Sequence, residues 1–219
     1  MLDKTKTNKD LGLAVNCYLS SVGVQTPIVQ LLENNNIKLI EQHFKSIMQI
    51  LGLDLNDDSL NETPKRVAKM FVNELFWGLR DENFPKITTV ENKMKYDEMV
   101  IEKNIKVASC CEHHFVTIWG YAHVAYIPNK KVLGLSKLNR IVEYFSRRPQ
   151  IQERLGQQIF HTLSYLLETD NIAVVIEAEH FCVKTRGVED SNSKTVTSKL
   201  GGKFMKESEL RGEFMRLIK

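Results

Sequence analysis

A chain of 219 residues with a net charge of +3, 42% hydrophobic and 26% charged residues, has the balance of a globular protein with a sizeable core. That charge is too small to argue for nucleic acid or an anionic membrane as partner, and no apolar run reaches the roughly 18 residues of a membrane span. Four cysteines, two of them adjacent, make no disulfide framework. Free thiols suit a reducing compartment, so a cytoplasmic protein is expected.

The first ten residues are polar and lysine-rich, with no apolar segment behind them. They read as a frayed terminus and not as a secretory signal. A helix is expected over Leu11 to Val24, broken at Thr26-Pro27. Asn36 to Leu51 is an amphipathic helix, with Leu39, Ile40, Phe44, Ile47, Met48 and Leu51 on one face and Gly52 as its stop. Thr63-Pro64 reads as a helix start, Thr63 capping and Pro64 in the first position, and the helix should run to Trp77. Arg66 and Lys69 share a face of it, the ordinary reading of which is a solvated basic edge. Residues 79–96 read as a connection. Residues 1–97 thus form an N-terminal helical region.

From Glu98 the composition turns to Val, Ile and aromatics. Strands are expected over Glu98 to Ala108 and Phe115 to Ile127, with a turn at Pro128 to Lys131. Ser136 is a good cap for a helix reaching Arg147. Lys137 in its first turn is unfavourable beside the positive end of the helix dipole, and Arg140 follows, a placement that makes sense where a polyanion docks. A second helix should run from Pro149 to Glu168, with Gln152 and Glu153 in its first turn. Asn171 to Val183 and Ser193 to Leu200 complete the strands, Gly201-Gly202 breaks the last, and Phe204 to Ile218 closes the chain as a helix. The expected fold is α+β: a four-stranded antiparallel sheet with two helices between its strand pairs. Its edges must be covered, so assembly with other subunits is expected.

The chemistry gathers at two stretches, Cys110-Cys111-Glu112-His113-His114 and His180-Phe181-Cys182. Thiolates and imidazoles grouped this way are zinc donors. Cys111 and His114 can share one ion if the backbone turns, with Cys182 brought in by the fold. On spacing alone Cys110 competes with Cys111, because neighbouring residues seldom bind one metal together. Three protein ligands leave a position for water, the mark of a catalytic site. His113 and His180 stand beside the ion without ligand duty. His180 and Cys182 should point the same way along a strand.

Five runs carry a likeness to a known family: TPKRVAKM at 63–70, CEHHF at 111–115, GLSKLNRIV at 134–142, RPQIQER at 148–154 and HFCVKTRG at 180–187. In order and spacing the chain closely resembles GTP cyclohydrolase I of the bacterial type, from about residue 37 to the C-terminus. The resemblance implies a tunnelling fold (T-fold) over 98–219 and a toroidal homodecamer with active sites between subunits. It implies GTP as substrate, with 7,8-dihydroneopterin triphosphate and formate as products. It resolves the thiol choice, making Cys111, His114 and Cys182 the Zn2+ ligands and Cys110 a bystander. It implies proton transfer at the guanine imidazole ring by His113 and at the ribose by His180. Glu153, with Gln152, would read the guanine edge. Arg66, Lys69, Lys137, Arg140 and Arg186, with Ser136, would take the triphosphate. Two other readings compete: a zinc-stabilised binding module, which needs a fourth protein ligand, and a related tunnelling-fold enzyme acting on dihydroneopterin triphosphate.

Overall fold

The structure, a computed structural model, describes residues 2–29 and 36–219. The N-terminus expected to fray is tied down over its described part; Met1 lies outside. Lys4–Lys6 make a 3-10 turn, Thr7 bridges to Pro85, and the Asn8 N–H donates to the Phe84 carbonyl at 2.7 Å. Asn8 then caps helix α1 (Lys9–Ser21), its side chain accepting from the Leu11 N–H at 3.1 Å, so the helix starts earlier than its apolar pattern suggests. Helix α2 (Asn36–Ile50) ends on Gly52, whose φ of +80° is the left-handed conformation glycine favours.

Helix α3 (Thr63–Met70) is shorter than expected and starts differently. Glu62 occupies the cap position without a side-chain bond, and Thr63 Oγ1 instead accepts from Arg66 at 3.3 Å. A π-helical turn at Phe71–Leu75 and a 3-10 turn at Trp77–Leu79 continue the chain. The connection beyond holds strand β1 (Thr89–Glu91).

Strands β2 (Val100–Cys111) and β3 (Thr117–Tyr126) pair antiparallel, and β4 (Lys131–Leu133) pairs with β1 in a separate two-stranded sheet. Helix α4 (Leu135–Ser146) begins on Gly134, not on a Ser136 cap; the Lys137 N–H donates to the Gly134 carbonyl at 2.8 Å. The run from Pro149 splits into strand β5 (Pro149–Gln150) and helix α5 (Gln152–Leu167). Pro149 has no N–H to donate, which suits a sheet edge.

Strand β6 (Ile172–His180) stops at His180, and Ile118 opposite His180 is its last pair with β3. The chain turns inward as helix α6 (Phe181–Lys184), so Cys182 and His180 are not related by strand alternation as expected. Strand β7 (Thr195–Leu200) follows, and the closing helix is two, α7 (Gly202–Lys206) and α8 (Ser208–Leu217).

The main sheet has five strands in the order β5-β2-β3-β6-β7, not four. It is mixed, because β5 runs parallel to β2. Ile118, Val124, Val174 and Ile176 pack in one core with Ile141, Phe145, Leu155, Ile159 and Leu163 of α4 and α5. Ala173 and Val175, alternating with them along β6, pack with Phe204 and Phe214 of α7 and α8. Burying each large apolar side chain contributes about 1.5–3 kcal/mol, which fixes β6 in register. Helix α2 is the exception. Ile47 and Ile50 in its last turn are 48% and 84% exposed, and Leu51 just beyond it is 71% exposed. Ile40, Phe44 and Ile47 line a cavity of about 360 Å³ with Phe71, Phe76 and Phe115. No described helix is long and apolar enough to cross a membrane.

Candidate metal centre and its surroundings

The stretch that carries two of the candidate metal donors sits where β2 ends. The Cys111 N–H donates to the Val116 carbonyl at 2.8 Å and the Phe115 N–H to the Cys111 carbonyl at 2.9 Å, closing a tight turn. Phe115 takes a φ of +55°, rare for a bulky residue and characteristic of functional turns. The Glu112 N–H donates to the Gln150 carbonyl at 3.0 Å, so β5 pins the turn from the sheet edge. Across the site, α6 delivers Cys182.

Cys111, His114 and Cys182 each offer a donor atom, and these atoms lie within 4.8 Å of one another. Cys111 Sγ is 4.0 Å from His114 Nδ1. Tetrahedral zinc bonds would place sulfur and nitrogen about 3.6 Å apart, a small closure from what is seen. Burial, then the adjacent Cys111 thiol, pushes the Cys182 thiol up. Two thiols crowded this way ionise together when a cation lies between them, so the donor set fits a metal. Cys110 points away: it is 4% exposed, its Sγ lies 3.8 Å from the Cys111 carbonyl oxygen, and burial lifts its thiol to about 11.

His113 is exposed beside the turn, its Nδ1 3.9 Å from Cys111 Sγ. His180 lies half-buried at the end of β6, with Nε2 2.8 Å from Gln152 Oε1. Burial lowers the His180 pKa and the charge of Glu153 opposes the shift, which puts Glu153 near this ring. Glu153 itself is exposed in the first turn of α5 and lines a cleft with Gly156, Thr197 and Lys199. Gln152 faces inward, 2% exposed, with its amide engaged in the sheet. Arg186 Nη1 lies 2.9 Å from His114 Nε2.

The remaining cations stand elsewhere. Lys137 and Arg140 are half-buried on α4, and burial, then Arg140, Lys86 and Lys6, lowers the Lys137 pKa. Arg140 and Lys6 line one cleft. Ser136 is exposed nearby in sequence. Arg66 and Lys69 are exposed on α3, Arg66 donating to the Ser59 carbonyl at 2.9 Å. No hydrogen bond among the described residues joins either group to the candidate metal donors.

Sequence reasoning missed Arg154 and its partner Glu112. Arg154 bonds both carboxylate oxygens of Glu112 and holds that carboxyl below the usual range. The signal was present, an arginine directly after Glu153 and a glutamate between a metal cysteine and a histidine. Neither suggests the other across 42 residues.

A family model described as GTP cyclohydrolase I matches residues 40–219. The chain is 56% identical over 209 residues to GTP cyclohydrolase 1 of Aeromonas salmonicida, covering 94% of this chain and 96% of that one. It is 54% identical over 202 residues to the protein of the same name from Pasteurella multocida, covering 91% and 93%. With matches of this extent and a three-donor metal group among the matched residues, the chain is an enzyme of the GTP cyclohydrolase I family.

Proposed function

We infer that the protein hydrolyses GTP, opening the guanine imidazole ring to give 7,8-dihydroneopterin triphosphate and formate. The observation that carries this is the meeting of Cys111, His114 and Cys182 donors within 4.8 Å, inside a chain of this family. These three residues would hold Zn2+ and leave one position to water. When bound, zinc supplies Lewis acidity, lowering the pKa of water to about 7.

The chain's own groups then divide the substrate. His113, exposed at the metal turn, exchanges a proton with the imidazole nitrogen as the ring opens at C8. His180 serves the ribose ring oxygen and the later sugar rearrangement. Such general acid–base help is worth about 10²–10⁴-fold. Glu153 accepts from guanine N1–H and the 2-amino group, a donor pair adenine lacks. Lys137, Arg140, Arg66, Lys69 and Arg186, with Ser136, take the triphosphate.

Those cations sit on α3, on α4 and in the turn after α6, which supports an active site completed between subunits of a homo-oligomer, a decamer by family likeness. The exposed apolar residues of α2 support burial against another copy. A T-fold catalytic part over 98–219, behind the helical region 1–97, belongs to the same reading. So does a cytoplasmic location, given four free cysteines. The test is direct: zinc-loaded protein incubated with GTP should release formate and, after oxidation, fluorescent neopterin. No product from GTP, with the metal bound, overturns the proposal.

A further inference from the structure

Gln152 is bound too tightly into the sheet to serve the guanine. Its Nε2 lies 3.0 Å from the Ile176 carbonyl, 3.0 Å from the Thr195 carbonyl and 3.1 Å from Thr197 Oγ1. Main-chain carbonyls can only accept, so this end of the amide is the NH2. The reverse orientation would set the amide oxygen against two carbonyl oxygens. Oε1 therefore faces outward, 2.8 Å from His180 Nε2. An amide oxygen only accepts, so Nε2 of His180 carries the proton.

We propose that Gln152 is a positioning residue for His180: it fixes the ring with Nε2–H donated to the Gln152 amide oxygen and presents Nδ1 as the nitrogen that exchanges protons with the substrate. No described residue donates a hydrogen bond to His180 Nδ1. Gln152 stands at the start of α5, Ile176 and Thr197 form a cross-strand pair of β6 and β7, and His180 ends β6. One buried amide thus locks a helix, two strands and an imidazole in a single geometry. A neutral amide orients the ring without the charge that a carboxylate would bring to it. The part of this that concerns substrate rests on His180 acting in proton transfer; the ring orientation does not.

Two measurements test it. Histidine-selective 15N NMR of the wild-type holoenzyme, with the His180 signal assigned by its loss in His180→Ala, should show the proton on Nε2 and a bare Nδ1. A proton on Nδ1 overturns the proposal whatever the enzyme's substrate. The second is Gln152→Met, which keeps the side-chain volume and removes the acceptor. It should lower kcat about 10–100-fold with KM for GTP changed less than about threefold. Combined with His180→Ala it should add nothing further, because it acts through that ring. A tenfold rise in KM at unchanged kcat would make Gln152 a guanine contact instead. Additive losses in the double variant would overturn the proposal too. If Gln152→Met does not fold, the wild-type spectrum still decides.

Discussion

Arg154 grips Glu112 at two points, Nη1 to Oε2 at 2.5 Å and Nη2 to Oε1 at 3.2 Å, with both side chains about four-fifths covered. The pair ties the turn bearing two metal donors to the first turn of α5, which carries Gln152 and Glu153. Bidentate geometry and partial burial make this pair stronger than an exposed bridge. Arg154→Met should leave Glu112 uncompensated beside the donors and loosen the turn. Zinc affinity, measured by competition with a chelator, should fall about 10–100-fold. Unchanged affinity would reduce the pair to a surface contact.

Cys110 and Cys182 should respond oppositely to the same substitution. Cys182→Ser removes a donor and should cost bound metal and turnover together. Cys110→Ser should keep full metal content, since its sulfur points away from the donor group. Metal per chain by elemental analysis distinguishes them. Metal retained in Cys182→Ser, or lost in Cys110→Ser, would replace the ligand set.

The donors that the structure brings together, Cys111, His114 and Cys182, were legible as a candidate group because their types are unusual and two of them fall in one short run. What lies between donors was not legible. His180 and Cys182 suggested strand alternation, yet the β3–β6 pairing ends at His180 and the chain enters a helix at Phe181. The helix expected from Pro149 lost its first residues to β5, because the unpaired edge of β2 at Cys110 and Cys111 was there to be joined. Periodicity reports local preference, whereas such pairing is decided by residues some 40 positions away. Ser136 and Thr63 are good caps by type, but Gly134 and Glu62 stand at the helix starts. Gln152 could not be separated from Glu153 by sequence, since only the fold turns one inward and the other out.

Glu153 carries the base discrimination in this reading. Glu153→Ala should retain zinc and lower kcat/KM for GTP by at least about 10²-fold, because guanine would leave two donors unpaired in the site. Parallel assays with GTP and inosine triphosphate, which lacks the 2-amino group, should show the wild-type preference shrink in the variant. An undiminished preference would move guanine reading to another residue.

Acid should destabilise the fold through His123. Burial lowers its pKa below the usual 6.5, and its Nδ1 accepts from the Asn104 N–H at 3.4 Å. A lowered histidine means that the unfolded chain binds more protons near pH 6. The stability is then complete above pH 6.5 and lost as pH falls below it. His161 and His180 shift the same way, by burial first. Tm should drop between pH 7.5 and 5.5, and His123→Gln should make that drop shallower. Equal slopes in the two proteins would remove His123 from the account.

The division of the site between chains can be tested with two crippled variants. On the proposed reading, Cys182→Ser lacks a metal donor and Arg140→Ala lacks a phosphate cation on α4. If one site takes its metal from one chain and its phosphate cations from another, mixed assemblies will contain sites with both halves intact. Random mixing in equal amounts gives about a quarter of sites in that state, one half for each chain's contribution. Co-refolded mixtures should therefore recover about a quarter of wild-type turnover, while the same proteins mixed after folding recover none. If co-refolding also restores nothing, Arg140 and the metal ligands serve the same site from the same chain, and the cations of α4 must reach the metal centre within one subunit.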